Sequence, residues 1–292
     1  MRRHFTIFAL VFTTLVCAVS ASVAQQQASC SFKLLKPIPG FVNGVNDYGT
    51  TVGQDASNYP LGFIRYANGS TSYAIAPNSA WTVIVDRNDS GVNVGYYSTQ
   101  GATINYKGFI LQSGKFTTFV HPKSVYGTQL MGINKYGSTV GWYIDSNRMT
   151  HGFKRYSNGS LSTLDYPGAG QSAATGINDS GTVIGSYYGN GGSNGYIYHS
   201  GNWATLNFPG TGGPSTSLMG ISNGNVVVGI NWASEPPSSF LYANGTFKVI
   251  SIPNSYETIV GGISANGLIS GNVTFNTSGG GTFSSGFTAV CK

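Results

Sequence analysis

The chain alternates short apolar runs with glycine-rich polar turns, and one such unit recurs along most of its length. The clearest copy runs from Gly176 to Gly185 and reads GINDSGTVIG, with apolar residues on both sides of an Asn-Asp-Ser-Gly turn. Degenerate copies begin at Gly44, Asp86, Gly132, Gly220 and Gly262. The copies are 42 to 46 residues apart, and self-similarity at this period predicts a repeat architecture.

Each repeat divides into four predicted strands. The first ends at Gly-Ile-Asn, before a turn in which Asn or Asp uses its side chain and Gly supplies a positive φ angle. The second is rich in Val, ends at Gly-aromatic as at 141–142, and precedes a loop of variable length. The third begins at Gly-Phe or a related pair and ends at Asn-Gly or Ser-Gly, which predicts a two-residue hairpin. The fourth stops near a proline, which cannot donate to a strand ladder.

Four short antiparallel strands in each repeat is the spacing of a β-propeller blade. The alternative is an open solenoid, whose terminal sheet edges would need caps that the sequence does not show. The chain instead finishes in a third strand at 286–291, and the segment that starts at Cys30 reads as a fourth strand. We therefore predict an all-β, six-bladed β-propeller with four antiparallel strands per blade. The N-terminal strand joins the last blade and closes the ring, and the first strand of each repeat lies innermost.

Two cysteines fall opposite each other when the repeats are superposed. Cys291 takes the position just before a hairpin turn, and Cys30 takes the position just after it. Such positions face each other across two strands, with Cβ atoms at about the separation of a disulfide. We predict a Cys30–Cys291 disulfide in place of the turn that closes the other hairpins.

The N-terminal segment predicts export. Arg2 and Arg3 precede an apolar run and then small residues near Ala21 and Ala24, a pattern typical of a secretory signal peptide. We expect residues 1–24 to be removed and 25–292 to form a single β-propeller domain, secreted to the periplasm or the extracellular space. No stretch reaches the roughly 18 apolar residues of a membrane span, so we expect no span and a monomeric, soluble protein. An oxidising compartment favours the disulfide.

Charge is sparse and scattered. Charged residues make up 8% of the chain, with 15 Lys plus Arg against 9 Asp plus Glu and no basic run. Nucleic-acid binding depends on a clustered basic footprint, so we expect no nucleic-acid partner.

The repeat resembles the HAF-repeat family of predicted secreted bacterial proteins. Those repeats combine a Gly-Ile-Asn-x-x-Gly-x-Val-x-Gly core with a His-Ala-Phe segment and an Asx-Gly hairpin, and the resemblance covers essentially the whole chain after the leader. The His-Ala-Phe segment reads His151-Gly152-Phe153 here, with Gly in place of Ala. The resemblance implies a propeller repeat and carries no established activity.

Residues that could carry chemistry do not form a motif. The histidines outside the leader stand in different repeats without metal-binding spacing: His121, His151 and His199. One turn position is acidic in three repeats, where Asp is expected to shape the turn: Asp47, Asp89 and Asp179. The pattern of a calcium loop is absent. We expect no metal, no cofactor and no catalytic residue.

Two features could still indicate a site. Asp86-Arg87 replaces the usual Gly-Ile, where we expect a local ion pair and functional use is the alternative. Three carboxylates, Asp55, Asp145 and Glu235, fall in loops after second strands and could share one face.

Aromatic residues that follow the second strands are the main binding candidates. Exposed rings on one face would suit stacking on sugars or gripping a peptide, whereas packing between blades is the alternative. The candidate ligand-binding residues are Tyr96, Tyr97, Trp142, Tyr143, Asp145, Tyr187, Tyr188 and Trp232.

These observations favour a secreted binding or scaffold module whose variable loops form a face for a glycan or a protein. The alternative is a carbohydrate-active enzyme, a glycoside hydrolase or lyase, that uses the loop carboxylates.

Overall fold

The computed structural model describes residues 26–36, 40–56, 61–99, 105–210 and 213–292, and the predicted signal peptide lies outside these ranges. The described residues contain no helix, and their regular structure consists of β-strands. In chain order the strands are β1 (Gln26–Gln27), β2 (Cys30–Leu34), β3 (Gly40–Val45), β4 (Thr51–Asp55), β5 (Leu61–Arg65), β6 (Thr71–Ala74), β7 (Ser79–Arg87), β8 (Asn93–Thr99), β9 (Tyr106–Gln112), β10 (Lys115–Phe119), β11 (Gly127–Ile133), β12 (Thr139–Ile144), β13 (Thr150–Arg155), β14 (Leu161–Thr163), β15 (Gln171–Ile177), β16 (Val183–Gly189), β17 (Gly192–His199), β18 (Asn202–Thr205), β19 (Thr216–Ile221), β20 (Val227–Asn231), β21 (Ser238–Ala243), β22 (Thr246–Ile250), β23 (Glu257–Ile263), β24 (Leu268–Asn276) and β25 (Thr282–Cys291).

The strands form five sheets in a propeller-like arrangement. Three sheets have four strands: β3–β6 (repeat 1), β15–β18 (repeat 4), and β23–β25 with β2 (repeat 6). Repeat 5, β19–β22, gains β1 as a fifth strand parallel to β22. Repeats 2 and 3, β7–β10 and β11–β14, share one eight-stranded sheet through a single parallel pair, Tyr106 and Gly127. Four single-blade sheets and one eight-stranded sheet are therefore observed in place of the six separate blades predicted, because strand pairing continues from repeat 2 into repeat 3.

Consecutive strands within each repeat are antiparallel, so their connections alternate between two faces. The turns between first and second strands and the hairpins between third and fourth strands lie on one face, called here the turn face. The loops between second and third strands and the crossovers to the next repeat lie on the opposite face, called the loop face.

The first strand of each repeat is innermost, as predicted, and together these strands line a central cavity of about 70 Å³. Each of these strands carries a β-bulge just before the glycine that begins the Gly-Ile-Asn segment or, in repeat 2, just before Asp86. A bulge adds one residue to one strand and re-aims its side chain. The added residues all line the cavity: Asn43, Val85, Met131, Thr175, Met219 and Gly261.

Glycine begins the Gly-Ile-Asn segment because neighbouring first strands approach closely there. A Cβ built on Gly132 would lie 3.1 Å from the Gly176 Cα. The same atom on Gly220 would lie 3.3 Å from the Gly262 Cα and 2.9 Å from the Ile263 backbone nitrogen. Backbone cannot retreat as a flexible side chain can, so a larger residue at these positions would push the strands apart.

The apolar core lies between adjacent sheets and centres on one ring per repeat. These third-strand rings have no exposed surface: Phe63, Phe109, Phe153, Tyr196, Phe240 and Phe287. Each pairs in register with a second-strand glycine, as Gly53 does with Phe63. A Cβ on Gly53 would come within 2.7 Å of the Phe63 ring. The Val-Gly and Gly-Phe segments of the repeat are therefore two halves of one packing unit.

The predicted two-residue hairpins occur in only some repeats. Ser113-Gly114 has positive φ at both residues, and the corresponding pairs of repeats 4 and 5 do too. In repeat 1 only Gly69 has a positive φ. There the Asn68 side chain accepts a hydrogen bond from the Ser70 backbone N–H at 2.9 Å, and the loop is longer. The Asn68 side chain thus replaces the second left-handed residue. Repeat 3 has the same loop, with a positive φ only at Gly159, so the prediction is wrong for repeats 1 and 3.

The predicted disulfide is confirmed. Cys30 and Cys291 are directly paired in the β2–β25 ladder, with a Cα–Cα distance of 4.1 Å, and their sulfurs are bonded. Repeat 6 also contacts repeat 1, since Asn272 Nδ2 donates to the Val42 carbonyl at 3.0 Å. The Asn272 Oδ1 accepts from the Val42 N–H at 2.9 Å.

Candidate functional site

The central cavity is too small to be the binding site for a sugar or a peptide. Its volume of about 70 Å³ holds a few water molecules, whereas small-molecule sites typically need roughly 300–1,000 Å³. Met131, Met219 and the other bulge residues fill the space between the first strands. The faces of the molecule are therefore where a ligand can bind.

At the turn face, asparagine side chains link successive repeats. The Asn178 Oδ1 accepts the Thr182 N–H at 3.0 Å and so closes its own turn. The Asn178 Nδ2 donates to the Ser222 carbonyl of the next repeat at 3.1 Å and to the Asn225 Oδ1 at 3.0 Å. Asn88 and Asn134 make the same donation to their own next repeats. One residue type therefore shapes the turn and joins the blades.

The neighbouring acidic residues serve the joint between repeats rather than their own turns. The Asp89 Oδ1 accepts the Asp47 N–H at 2.9 Å, and the Asp179 Oδ1 accepts the Lys135 N–H at 3.0 Å. Lys135 Nζ also lies 3.5 Å from the Asp179 Oδ2. The prediction that these residues shape their own turns is therefore wrong, because the preceding asparagine already makes that hydrogen bond.

Asp86 and Arg87 do not form the expected ion pair. Adjacent residues of a strand point to opposite sides. The Asp86 Oδ2 accepts the Ile133 N–H of repeat 3 at 3.0 Å, while the Arg87 Nη1 donates to the Gly91 carbonyl at 3.2 Å and the Asn93 Oδ1 at 2.9 Å. Burial raises the pKa of the Asp86 carboxyl to about 6, although N–H groups of Ile133 and Arg87 lower it.

The predicted aromatic residues fall into three groups. Tyr97, Tyr143 and Tyr187 are buried, with 6%, 3% and 8% of their surface exposed. The Tyr143 ring stacks on His121 with centroids 3.9 Å apart, and the Tyr187 ring stacks on Tyr166 at 3.8 Å. These three rings pack at the joints between repeats, as the alternative interpretation expected.

Of the other candidates, Tyr188 and Trp232 are exposed and lie in different repeats. The Trp232 Nε1 donates to the Ser217 Oγ at 3.1 Å. Tyr96 and Trp142 are half-buried.

Tyr96 and Trp142 belong to a cluster that sequence reasoning found only in part. Its four half-buried rings, Trp81, Tyr96, Tyr106 and Trp142, are called here the loop-face aromatic cluster. Trp81 contacts Tyr96 and Tyr106, each with centroids 5.6 Å apart, and Tyr106 meets Trp142 of repeat 3 at 6.3 Å. Burial and then the neighbouring Tyr106 raise the pKa of Tyr96. Trp81 and Tyr106 lie at the starts of strands β7 and β9, and no repeated position in the sequence indicated them.

Asp145 lies in a second cluster on the loop face, centred on His151. The His151 Nδ1 is 2.8 Å from the Asp165 Oδ2, and its Nε2 is 3.4 Å from the Asp145 Oδ2. The Met149 N–H, together with the Asn147 N–H and His151, lowers the pKa of Asp145, although burial raises it. The sequence placed these residues in separate motifs, and the pairing of β13 with both β12 and β14 brings them together.

The three loop carboxylates do not converge. Asp55 is buried, with 6% of its surface exposed, and Glu235 is exposed. Asp145 is engaged with His151. The three residues belong to repeats 1, 3 and 5, so no two of them lie in adjacent repeats.

Within the part of the chain that the structure describes, no group of three His, Cys, Asp or Glu residues could hold a metal ion. In the same residues, no helix has the length and apolar character needed to cross a membrane.

Comparison with known proteins reveals similarity of fold only. No protein-family model matches the chain, and no curated protein matches it. A streptogramin B lyase structure matches with a TM-score of 0.53 at 11% identity, covering 90% of this chain and 98% of the other. TolB from Acinetobacter baumannii matches with a TM-score of 0.52 at 11% identity, covering 89% of this chain and 65% of the other.

A lectin structure matches to a similar extent. A mutant of the Aleuria aurantia lectin in complex with Fucα1-6GlcNAc has a TM-score of 0.50 at 14% identity, covering 85% of this chain and 93% of the other. These structural neighbours are β-propeller proteins. At such low identity they support the fold and do not assign an activity.

Proposed function

We propose that this chain is a secreted binding module, a six-bladed β-propeller that binds an extracellular glycan or protein at its loop face. The observation that carries the proposal is the loop-face aromatic cluster of Trp81, Tyr96, Tyr106 and Trp142, which joins repeats 2 and 3 through adjacent half-buried rings. Aromatic rings supply large apolar area with few rotatable bonds, which suits stacking on a pyranose or holding a peptide side chain. The filled channel leaves such surfaces as the places for a ligand.

Contacts between repeats 6 and 1 support a closed ring. The Asp47 Oδ1 of repeat 1 accepts the Asn266 N–H of repeat 6 at 2.8 Å. Asp89 and Asp179 accept a backbone N–H from the preceding repeat in the same way. A Cβ on Gly262 would lie 3.4 Å from the Gly44 Cα, as it would between other neighbouring repeats. Counting the eight-stranded sheet as two blades then gives six.

Several features are consistent with an exported protein. A disulfide fits an oxidising compartment such as the periplasm or the extracellular space. The signal peptide at 1–24, the single domain at 25–292, the monomeric state and membership of the HAF-repeat family remain predictions. The lectin among the structural neighbours makes a glycan a reasonable first ligand to test.

The test is a printed oligosaccharide array probed with the mature protein, followed by titration calorimetry on any hit. We expect Trp142→Ala to weaken binding roughly tenfold or more, because a central aromatic residue commonly dominates an interface. Trp142→Leu keeps apolar volume without a ring and separates stacking from loss of packing. Tyr48→Ala is the control, since Tyr48 is 70% exposed and lies in a turn of repeat 1 on the turn face, opposite the face of the cluster.

Binding that is unchanged by both Trp142 variants would contradict the proposed site. An array without any hit, together with a negative pull-down from culture supernatant, would contradict the binding function itself.

One observation favours the alternative of a carbohydrate-active enzyme. His151 contacts both Asp145 and Asp165, so two carboxylates lie on either side of one imidazole at the loop face. Hydrolysis of a glycosidic bond requires an acid and a second carboxylate flanking the bond. Turnover of an array oligosaccharide that is lost in Asp145→Asn and Asp165→Asn would establish this function in place of binding alone.

A further inference from the structure

A second groove lies on the turn face, between repeats 1 and 2 and away from the loop-face aromatic cluster. It has a volume of about 620 Å³, within the range of small-molecule sites. Repeat 1 contributes Tyr66, Tyr73 and Ile75, and repeat 2 contributes Arg87 and Phe116. No Asp or Glu is among the described residues that line it.

Arg87 occupies a position at which every other repeat has an aliphatic residue. The corresponding residues are Val45, Ile133, Ile177, Ile221 and Ile263. The guanidinium therefore replaces an apolar group between two blades, and its burial lowers the pKa of Arg87. A partly buried cation with no nearby carboxylate is costly for folding.

The contacts of Arg87 leave part of its head group free. Its Nη1 donates to Gly91 and Asn93, while its Nε is buried without a hydrogen-bond partner. No hydrogen bond or ion pair within the described residues engages Nη2. Asn93 is itself held by the Leu111 carbonyl at 3.2 Å, so the guanidinium has a fixed orientation. Since Nε is buried, Nη2 is the donor group left for a ligand in the groove, and a fixed guanidinium with this group free is suited to a carboxylate.

The walls of the groove provide apolar faces and hydroxyls beside that cation. Tyr66, Tyr73 and Ile75 are 40%, 53% and 50% exposed, and Phe116 is half-buried against Phe109. Exposed tyrosine rings suit the C–H faces of a pyranose, and their hydroxyls suit its hydroxyl groups. This combination favours an acidic sugar over a fatty acid, whose long chain would need a deep apolar cavity.

We propose that the groove between repeats 1 and 2 binds a uronic-acid saccharide, with Arg87 pairing with the sugar carboxylate and Tyr66 and Tyr73 contacting the ring. Arg87 is retained in place of an aliphatic residue because the bound carboxylate compensates its charge. The site is independent of the loop-face site and can be tested separately.

The probe is tri-galacturonate, titrated calorimetrically into the mature protein alongside its carboxyl-reduced counterpart, α-1,4-galactotriose. Glucuronate and mannuronate trimers are further arms that define the sugar. We expect one of the uronates to bind at least tenfold more tightly than its neutral counterpart. Arg87→Ile should abolish that preference, because it removes the charge-assisted pair. Arg87→Lys should retain part of the preference, since a point charge remains without the planar fork.

Folding is checked within the same set of variants. Isoleucine occupies the corresponding position in four repeats, so Arg87→Ile should melt at or above the wild-type temperature. Tyr73→Ala alters only an exposed wall residue and should weaken uronate binding severalfold without changing the melting temperature.

The matched control is Lys154→Met, which removes a cation from the corresponding groove between repeats 3 and 4, where Lys154, Tyr156 and Tyr198 lie together. Uronate affinity should not change in this variant. An equal loss in Arg87→Ile and Lys154→Met would indicate general charge attraction and overturn the proposal. Equal affinity for uronate and neutral trimers, or no uronate binding at all, would also overturn it.

Discussion

The inner turns and the outer rim of the repeats are held together by different means. On the turn face near the channel, successive repeats are joined by hydrogen bonds from the same residue type at the same position, as Asn88, Asn134 and Asn178 show. At the rim, each repeat is closed on itself, by a hairpin turn in five cases and by the Cys30–Cys291 disulfide in the sixth. The contacts between repeats at the inner turns therefore require similar residues in adjacent repeats, whereas a repeat can be closed at the rim by either a turn or a disulfide.

Breaking the disulfide tests the rim and should have the largest effect. In the entropic model, a bond that closes a loop of this length contributes about 5.5 kcal/mol to the free energy of unfolding, because it restricts the unfolded chain. We expect the Cys30→Ser/Cys291→Ser variant to lose most of this amount in denaturant titration. Reductant should destabilise the wild type to the same extent and leave the variant unchanged. Equal stability of the two proteins would contradict a role for the bond at the rim.

Titrating Asp86 tests the one inner position where a carboxylate replaces glycine. Burial raises its pKa from 3.8 to about 6, so the folded state binds more protons than the unfolded state between these values. The free energy of unfolding should therefore fall as pH rises through that window, by about 2–3 kcal/mol at most. Asp86→Asn removes the titrating group, and its stability curve should be flatter between pH 4 and 6.

Thr117→Ala is a suitable control for that measurement, because it alters an exposed polar residue of the same repeat that does not titrate. A wild-type slope that persists in Asp86→Asn would assign the pH dependence to another carboxyl group.

Replacing Asn178 tests the inner joint with a smaller change. Serine already fills the corresponding position in repeat 5, where the Ser222 Oγ accepts the Val226 N–H at 3.1 Å. Asn178→Ser should keep the turn and lose the donors to repeat 5, at a cost of about 1 kcal/mol. Asn178→Ala should lose both roles and cost about twice as much. If the Ser and Ala variants are equally stable in thermal melts, the hydrogen bond that closes the turn does not contribute to the free energy of unfolding at this position.

The architecture was predictable because it follows from periodic local signals. The recurring Gly-Ile-Asn segments gave the strands and the innermost position, and the superposed hairpin positions gave the disulfide between Cys30 and Cys291. Such signals depend on residues close in sequence and on the repeat itself. The pairing of Tyr106 with Gly127, which merges two sheets, depends on how two repeats approach and has no local pattern.

The candidate sites were less predictable because they depend on departures from the repeat. Tyr143 and Tyr187 follow the repeat and are buried, whereas Trp81 and Tyr106 do not follow it and join the aromatic cluster. The sequence marked Asp86-Arg87 as unusual but could not show that the two side chains lie on opposite sides of the strand. Only the packing between repeats 1 and 2 shows that Arg87 borders a groove.

The disulfide also bears on how the chain can be connected. Cys30 and Cys291 stand where the other repeats have a hairpin turn, with Cα atoms 4.1 Å apart. A short peptide linker between these positions could therefore replace the bond, and new termini could be placed at another hairpin, such as Ser200-Gly201. The linker would take the place of the segment that carries β1, so the β1–β22 pair would be lost while the four strands of each repeat stay paired. The order in which the blades are synthesised would change while their neighbours in space stayed the same. In such a circular permutant, the last strand to leave the ribosome would complete repeat 4 instead of repeat 6.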